Sequence, residues 1–331
     1  MKRLVLTVGL LFCSAIYLFA QPDNAGMKVW SKYDFVPGDK IIFEDNLKDE
    51  TVGEFPSRWK LTYGSAEAAK FMDTTVIGFT TGQSVIEPLM KKTAYLPEIF
   101  TIEFDVYFHQ KGNEAYIVIF DVLGKLDIRK HRITLKSFSG SYTLPNTPGW
   151  HHVAIAFNQG KLKAYLNENK ALNVPDAGGK PTKFSITSLS HGAKQGYPSF
   201  IRNIRVAEGG MDLYKRVVSD GKFITRGILF AVNKWDIKPE SMGVLNEIAN
   251  MMKQYPELKF SVEGHTDSDG DDASNKTLSE KRAEAIKKAL TDLGISADRL
   301  STKGWGETKP ADDNAGSEGK ANNRRVEFIK T

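Results

Sequence analysis

The sequence predicts a multidomain protein, an all-β sandwich followed by an α+β domain with the element order βαβαββ. Three observations carry this. The chain has 331 residues, room for two ordinary domains. Residues 40–206 read as a series of short strands with no segment of helical period. From about Asp220 onward, strands and helices alternate instead. With 41% hydrophobic and 26% charged residues, the composition is that of a globular protein able to bury real cores.

The first twenty residues stand apart. Lys2 and Arg3 make a short positive start, and Leu4 to Ala20 follow without a charge. That is the layout of a secretory signal, residues 1–20, with cleavage expected between Ala20 and Gln21. The alternative is an uncleaved anchor helix, for which the run is at the short end of the spanning range. Cys13 is the single cysteine, and the apolar run continues past it, which argues against a lipoprotein signal. The mature chain then holds no disulfide, and cores of this size stand without one. Formal net charge is +5, and two of those charges sit on Lys2 and Arg3. Residues 221–331 hold 18 basic and 18 acidic residues. A nucleic-acid binder would show a basic surplus, so that class is set aside.

Residues 21–39 are a polar lead-in. In the sandwich, "FTIEFDVYF" alternates with Ile102, Phe104, Val106 and Phe108 on one face, while "AYIVIFDVL" is apolar on both faces like a central strand. "WHHVAIAFN", "GKLKAYLNE", "KFSITSL" and "SFIRNIRVA" follow, with "NQG" as a hairpin turn between the first two. Residues 207–221 read as a linker. In the domain at 222–331, "KFITRGILFAVN" is expected as a strand, and Pro239 opens a helix carrying Val244, Leu245, Ile248 and Met252. Pro256 stops it, "KFSVEGH" is the next strand, and residues 274–293 form a second helix ended by Gly294. "RLSTKGWG" and "RRVEFIKT" supply the last two strands.

On the second helix an apolar stripe of Leu278, Ile286, Ala289, Leu290 and Leu293 also takes in Asn275 and Arg282. A buried arginine needs an anion, because an uncompensated buried charge costs several kcal/mol. The preceding loop offers Asp267, Asp269, Asp271 and Asp272. Two readings stand at this point. Either Arg282 makes a structural ion pair with one of them, or the pair is opened around a small zwitterion, aspartate taking the ammonium and the guanidinium fork the carboxylate.

"EGHTDSDG", Asn275 with "TLSEKRA", "GWGETKP" and "NNRRVEF" together resemble the signature of the OmpA-like C-terminal domain, across residues 222–331. The resemblance implies non-covalent binding of peptidoglycan through the diaminopimelate of its stem peptides, with no catalysis and no cofactor. It implies Asp267 and Arg282 as the main ligands, with Thr266, Asn275 and Leu278 lining the same pocket. One of Arg324 and Arg325 completes it, and the position is assigned to Arg324, since strand alternation puts only one of them on the site face. His265, alone at a strand end, is read as structural.

Residues 40–206 are similar to a concanavalin or laminin G-like jelly roll, on "WHHVAIAFNQGKLKAYLNENKALNV", "SFIRNIRVA" and "DNLKDETVGEFPSRWKL". That fold hosts glycan binders and glucanases, so catalysis has to be argued from residues. Glu103 and Asp105 begin a glutamate-x-aspartate pattern, but the second glutamate of laminarinase-type enzymes is absent, which leaves a solvated polar strand face. His151 and His152 are strand neighbours and point to opposite faces, so they cannot share a metal ion. Trp59, Tyr63, Tyr95, Tyr142 and Trp150 are the aromatics that could stack on sugars. The expected protein is therefore an exported anchor, in the periplasm or on the periplasmic side of the outer membrane. Its sandwich would hold a glycan or an envelope protein. The alternatives are a wall-tethered glycoside hydrolase and an outer-membrane β-barrel.

Overall fold

The computed structural model describes residues 33–144, 147–190, 197–209 and 213–331, so the expected signal at 1–20 and Cys13 lie outside the described residues. Fifteen strands run from Lys40 to Glu208 among these. The first eight are β1 (Lys40–Asp45), β2 (Trp59–Tyr63), β3 (Ala66–Phe71), β4 (Thr74–Phe79), β5 (Gln83–Pro88), β6 (Ile99–Phe108), β7 (Glu114–Phe120) and β8 (Gly124–Arg129). The remaining seven are β9 (Arg132–Leu135), β10 (Phe138–Ser141), β11 (Gly149–Asn158), β12 (Lys161–Leu166), β13 (Asn169–Val174), β14 (Phe184–Ser190) and β15 (Ser199–Glu208).

Hydrogen bonding divides them into two sheets rather than one closed cylinder, which removes the barrel alternative. An eight-stranded sheet has the order β13-β12-β11-β6-β15-β4-β3, with β1 also paired to β15. A seven-stranded sheet has the order β10-β9-β8-β7-β14-β5-β2. The strand that reads as apolar on both faces, β7, is the middle one of its sheet. Alternation then builds the core, as Phe100, Ile102, Phe104, Val106 and Phe108 of β6 meet Tyr116, Val118 and Phe120 of β7 in one buried cluster. The "NQG" turn joins β11 to β12, with Gln159 and Gly160 both at positive φ (48° and 91°), the backbone a two-residue hairpin loop requires.

The C-terminal region has a four-stranded sheet ordered β16-β19-β17-β18, formed by β16 (Lys222–Thr225), β17 (Phe260–His265), β18 (Leu300–Gly306) and β19 (Val326–Lys330). Four helices accompany it: α1 (Leu213–Asp220), α2 (Met242–Gln254), α3 (Asp272–Asp292) and α4 (Ser317–Asn323). Only β17 and β18 run parallel.

Several expectations need correction. The stretch read as a linker contains α1, whose Leu213 and Val217 are buried. The long strand at "KFITRGILFAVN" stops at Thr225, and the chain beyond it makes only a bridge from Phe230 to Ile237. A helix, α4, precedes the last strand, so the order is βαβαβαβ from Lys222 rather than βαβαββ. The lead-in is not wholly polar surface, because Tyr33 and Phe35 are buried. They join Tyr165 and Ala154, on the outer face of the eight-stranded sheet, in one core with Leu245, Ile248 and Phe260. The two regions thus share apolar packing and meet along a face.

Candidate functional site

The loop between β17 and α3 starts where the strand leaves the sheet. Thr266 N–H still donates to the Gly306 carbonyl at 3.0 Å, which fixes the first loop residue. Asp271 caps α3 by accepting from Ser274 N–H at 3.0 Å, the side-chain role that starts a helix. Between those two anchors the Asn275 amide holds the loop inward. Its Nδ2 donates to the Asp269 carbonyl at 3.2 Å and to Glu307 Oε2 at 2.6 Å, with the Asp267 carbonyl 3.4 Å away.

Asp267 is buried, and its partner is Arg324, whose Nη1 donates to Oδ2 at 2.6 Å. Arg325 points elsewhere. It is buried against Glu327 Oε1 at 2.7 Å and the Lys309 carbonyl at 2.9 Å. Both arginines lie between α4 and β19, so a helix end, not strand alternation, sets their directions.

Arg282 does not make the structural ion pair that was one of its two readings. It is only half-buried and has no carboxylate partner among the described residues. Nε donates to the Lys234 carbonyl at 3.0 Å, and the guanidinium lies 4.8 Å from the centre of the Phe230 ring. Burial pulls its pKa down to about 10, with the Asp267 charge opposing that and the Arg324 charge adding to it. The buried stripe of α3 is Asn275, Ser279, Ala283, Ile286 and Leu290, so Asn275, Ile286 and Leu290 lie as expected, Ala289 and Leu293 pack partly buried beside them, and Leu278 and Arg282 fall outside it. Leu278 and Arg282, one turn apart, face a cleft of about 380 Å³ instead. Thr266, Asp267, Asn275, Leu278, Arg282 and Arg324 all line this cleft. Thr266 Oγ1 is buried there without a hydrogen-bond partner.

His265 lies behind the cleft in a smaller cavity of about 140 Å³. Burial, aided by the Arg325 charge, pushes its pKa down to about 4. Both of its ring nitrogens are buried without a hydrogen-bond partner.

The opposite wall belongs to the two-sheet region, which the sequence did not connect with the pocket. Glu44, Glu103, Asp105 and His152 line it. Glu103 and Asp105 are therefore not on a solvated face. Glu103 is 3% exposed, and His152 Nδ1 lies 3.1 Å from Asp105 Oδ1 with Nε2 3.5 Å from Glu103 Oε2. Burial alone would lower the His152 pKa, but these two carboxylates override it and hold the ring charged, with a pKa near 10. Burial also acts to raise Asp105, and the bonds from His152 and Asn203 bring it below the usual value. His151, on the other face, bonds Asn167. The sugar-stacking candidates do not converge: Trp59 is buried with Nε1 on Asp45, Tyr63 is exposed, and Trp150 lies under Arg202 at 4.1 Å. No group of three or more His, Cys, Asp or Glu suited to a metal ion occurs among the described residues.

The model of the OmpA family matches residues 229–324, the segment that carries one wall of the cleft. This segment is an OmpA family domain. Outer membrane porin F of Pseudomonas aeruginosa is 39% identical over 131 residues, covering 39% of this chain and 36% of that protein. Peptidoglycan-binding protein ArfA of Mycobacterium bovis is 33% identical over 102 residues, 31% of each chain. The chain spans about a third of the length of these curated relatives. The crystal structure of the peptidoglycan-associated lipoprotein from Burkholderia pseudomallei aligns with 26% identity and a TM-score of 0.30, covering 31% of this chain and 88% of that one. The OmpA family domain is preceded by a mostly β-sheet region, outside the residues that the family model matches.

Proposed function

We propose that the OmpA family domain binds peptidoglycan by gripping the zwitterionic end of diaminopimelate in its stem peptides, and so anchors the protein in the cell envelope. The observation that supports this best is an arginine, Arg282, with no carboxylate of its own, lining the same cleft as the Asp267 carboxylate. A structural ion pair between them would have used up both charges. A free amino acid end has opposite charges on one carbon, and it would place its carboxylate on Arg282 and its ammonium on Asp267. Thr266 Oγ1 offers a further polar contact, and Asn275, Leu278 and Arg324 shape the rest of the pocket. A relative named as peptidoglycan-binding supports the same ligand.

The domain limits that fit this reading are 40–206 for the two-sheet region and 222–331 for the wall-binding domain, joined through 207–221 after a lead-in at 21–39. The two-sheet region is read as a concanavalin or laminin G-like jelly roll, a binding module for a glycan or an envelope protein. A hydrolase is the weaker reading, because His152 takes up the carboxylates of Glu103 and Asp105. Export behind a signal at 1–20, to the periplasm or the periplasmic side of the outer membrane, completes the proposal.

Purified sacculi should pull down the protein, and Asp267→Ala and Arg282→Ala variants that keep their fold should each lose most of that binding. Undiminished binding by both variants would refute the zwitterion pocket.

A further inference from the structure

The pocket assigned to the wall ligand is closed on one side by a strand from the other region. Arg324 Nη1 donates to Asp267, and its Nη2 donates to Glu44 Oε2, each at 2.6 Å. Two carboxylates from residues far apart in the chain thus stand one guanidinium apart. Glu44 is not free to swing away. In β1, Ile41 N–H donates to Asn322 Oδ1 at 3.2 Å and Glu44 N–H to Glu318 Oε1 at 3.4 Å, and Arg58 holds the same Glu318. Ile41 packs with Ala321 and Ala207 in a small buried cluster. The strand is fixed on α4 at Ile41 and at the Glu44 backbone.

We propose that Glu44 is the second carboxylate of the ligand pocket and sets its selectivity for a ligand carrying an ammonium beside its carboxylate. This rests on the zwitterion reading given above. The reason is a charge count. Asp267 and Glu44 share one cation, Arg324, so this cluster of three side chains holds one net negative charge. Arg282 lines the same cleft with one positive charge and no acid of its own. A zwitterion satisfies both the cluster and Arg282, while a ligand with the carboxylate alone meets an uncompensated acid. Without Glu44, Asp267 and Arg324 cancel, and Arg282 turns the site into a plain anion receptor. The region before the OmpA family domain then acts as half of the binding site and not only as a passenger. Arg324 takes Oδ2 of Asp267 and Oε2 of Glu44, which leaves Glu44 Oε1 and the second lone pair of Asp267 Oδ1, already accepting from Asp269 N–H at 3.3 Å, for an incoming ammonium.

The test uses the full chain after its expected cleavage site and two soluble stem peptides, titrated calorimetrically. One ends in meso-diaminopimelate. The other ends in 2-aminopimelate, which keeps the terminal carboxylate and lacks the ammonium beside it. Wild-type protein should prefer the first. Glu44→Gln should lose about tenfold affinity for it, a difference of about 1.4 kcal/mol, with no loss for the second peptide. An equal loss for both peptides would mean that Glu44 only holds the two regions together, and the proposal falls. Unchanged or tighter binding of the first peptide by Glu44→Gln overturns it as well, making Glu44 a bystander or a competitor for Arg324. Wild-type protein that binds neither peptide, or full binding by Asp267→Ala, removes the zwitterion reading and this inference with it.

Discussion

Asn275 holds the acidic loop in place with one amide group. Its Nδ2 reaches the carbonyls of Asp267 and Asp269 and the Glu307 carboxylate, and the residue is 6% exposed. Asn275→Ala would leave those acceptors short of a donor in a buried place, costing about 1–3 kcal/mol. A lower melting temperature together with weakened sacculus binding is expected, and thermal unfolding beside the pulldown would check it. A variant with wild-type values for both would show that Asp271 and the β17 end hold the loop unaided. At this scale, Asn275 and Arg282 stood out as polar residues on a helix stripe, while Asp267 was one of four loop aspartates until the resemblance singled it out. Glu44 was not legible, since its bond to Arg324 crosses 280 positions and no local pattern reports it. Arg282 shows a different failure. It was read as a core-face residue, but it is half-buried at the cleft, against a carbonyl and a ring.

The approach of α3 to its sheet explains why the expected stripe missed Ser279 and Ala283. The close-packed face carries small residues, with Ser279 and Ala283 buried, because β17 and β18 bring glycines against it. A Cβ added to Gly304 would lie 2.4 Å from the Glu280 backbone nitrogen, and one on Gly264 would lie 2.4 Å from the Ser279 carbonyl oxygen. Hydrophobic periodicity ranks leucines above serine and alanine, so it took in Leu278, which lines the cleft, and passed over Ser279 and Ala283. The same bias hid α4, whose seven residues "SEGKANN" contain no large apolar side chain. The strand β6 was plain because its sequence alternates, which puts Phe100, Ile102, Phe104, Val106 and Phe108 in one core. Gly304→Ala should push α3 off the sheet and destabilise the domain by about 1–3 kcal/mol, the usual cost of overpacking. Denaturant unfolding of the variant measures this, and an unchanged midpoint would mean that the helix shifts without strain.

At the scale of the whole molecule, the question is whether the two regions behave as one cooperative unit. Domains joined by a flexible connection unfold independently, and the sequence suggested such a connection at 207–221. The structure places α1 there, with Leu213 and Val217 in the C-terminal core. Tyr33 and Phe35 lie between Tyr165 of the eight-stranded sheet and that core, with the Tyr165 and Phe35 ring centres 5.5 Å apart. Asp34 adds polar links to the sheet by accepting from Tyr165 and Lys170. Removing either region would strand these aromatics in water, at about 1.5–3 kcal/mol for each large side chain fully buried. A single calorimetric transition is therefore expected for the full chain. Tyr165→Ala, which empties the shared core from the sheet side, should lower the melting temperature and split the transition in two. Two separate transitions in the wild type would show instead that the shared core is too weak to couple the regions. Glu44 would then be held against Arg324 only by local bonds, and its effect on ligand choice should fade as the first region melts.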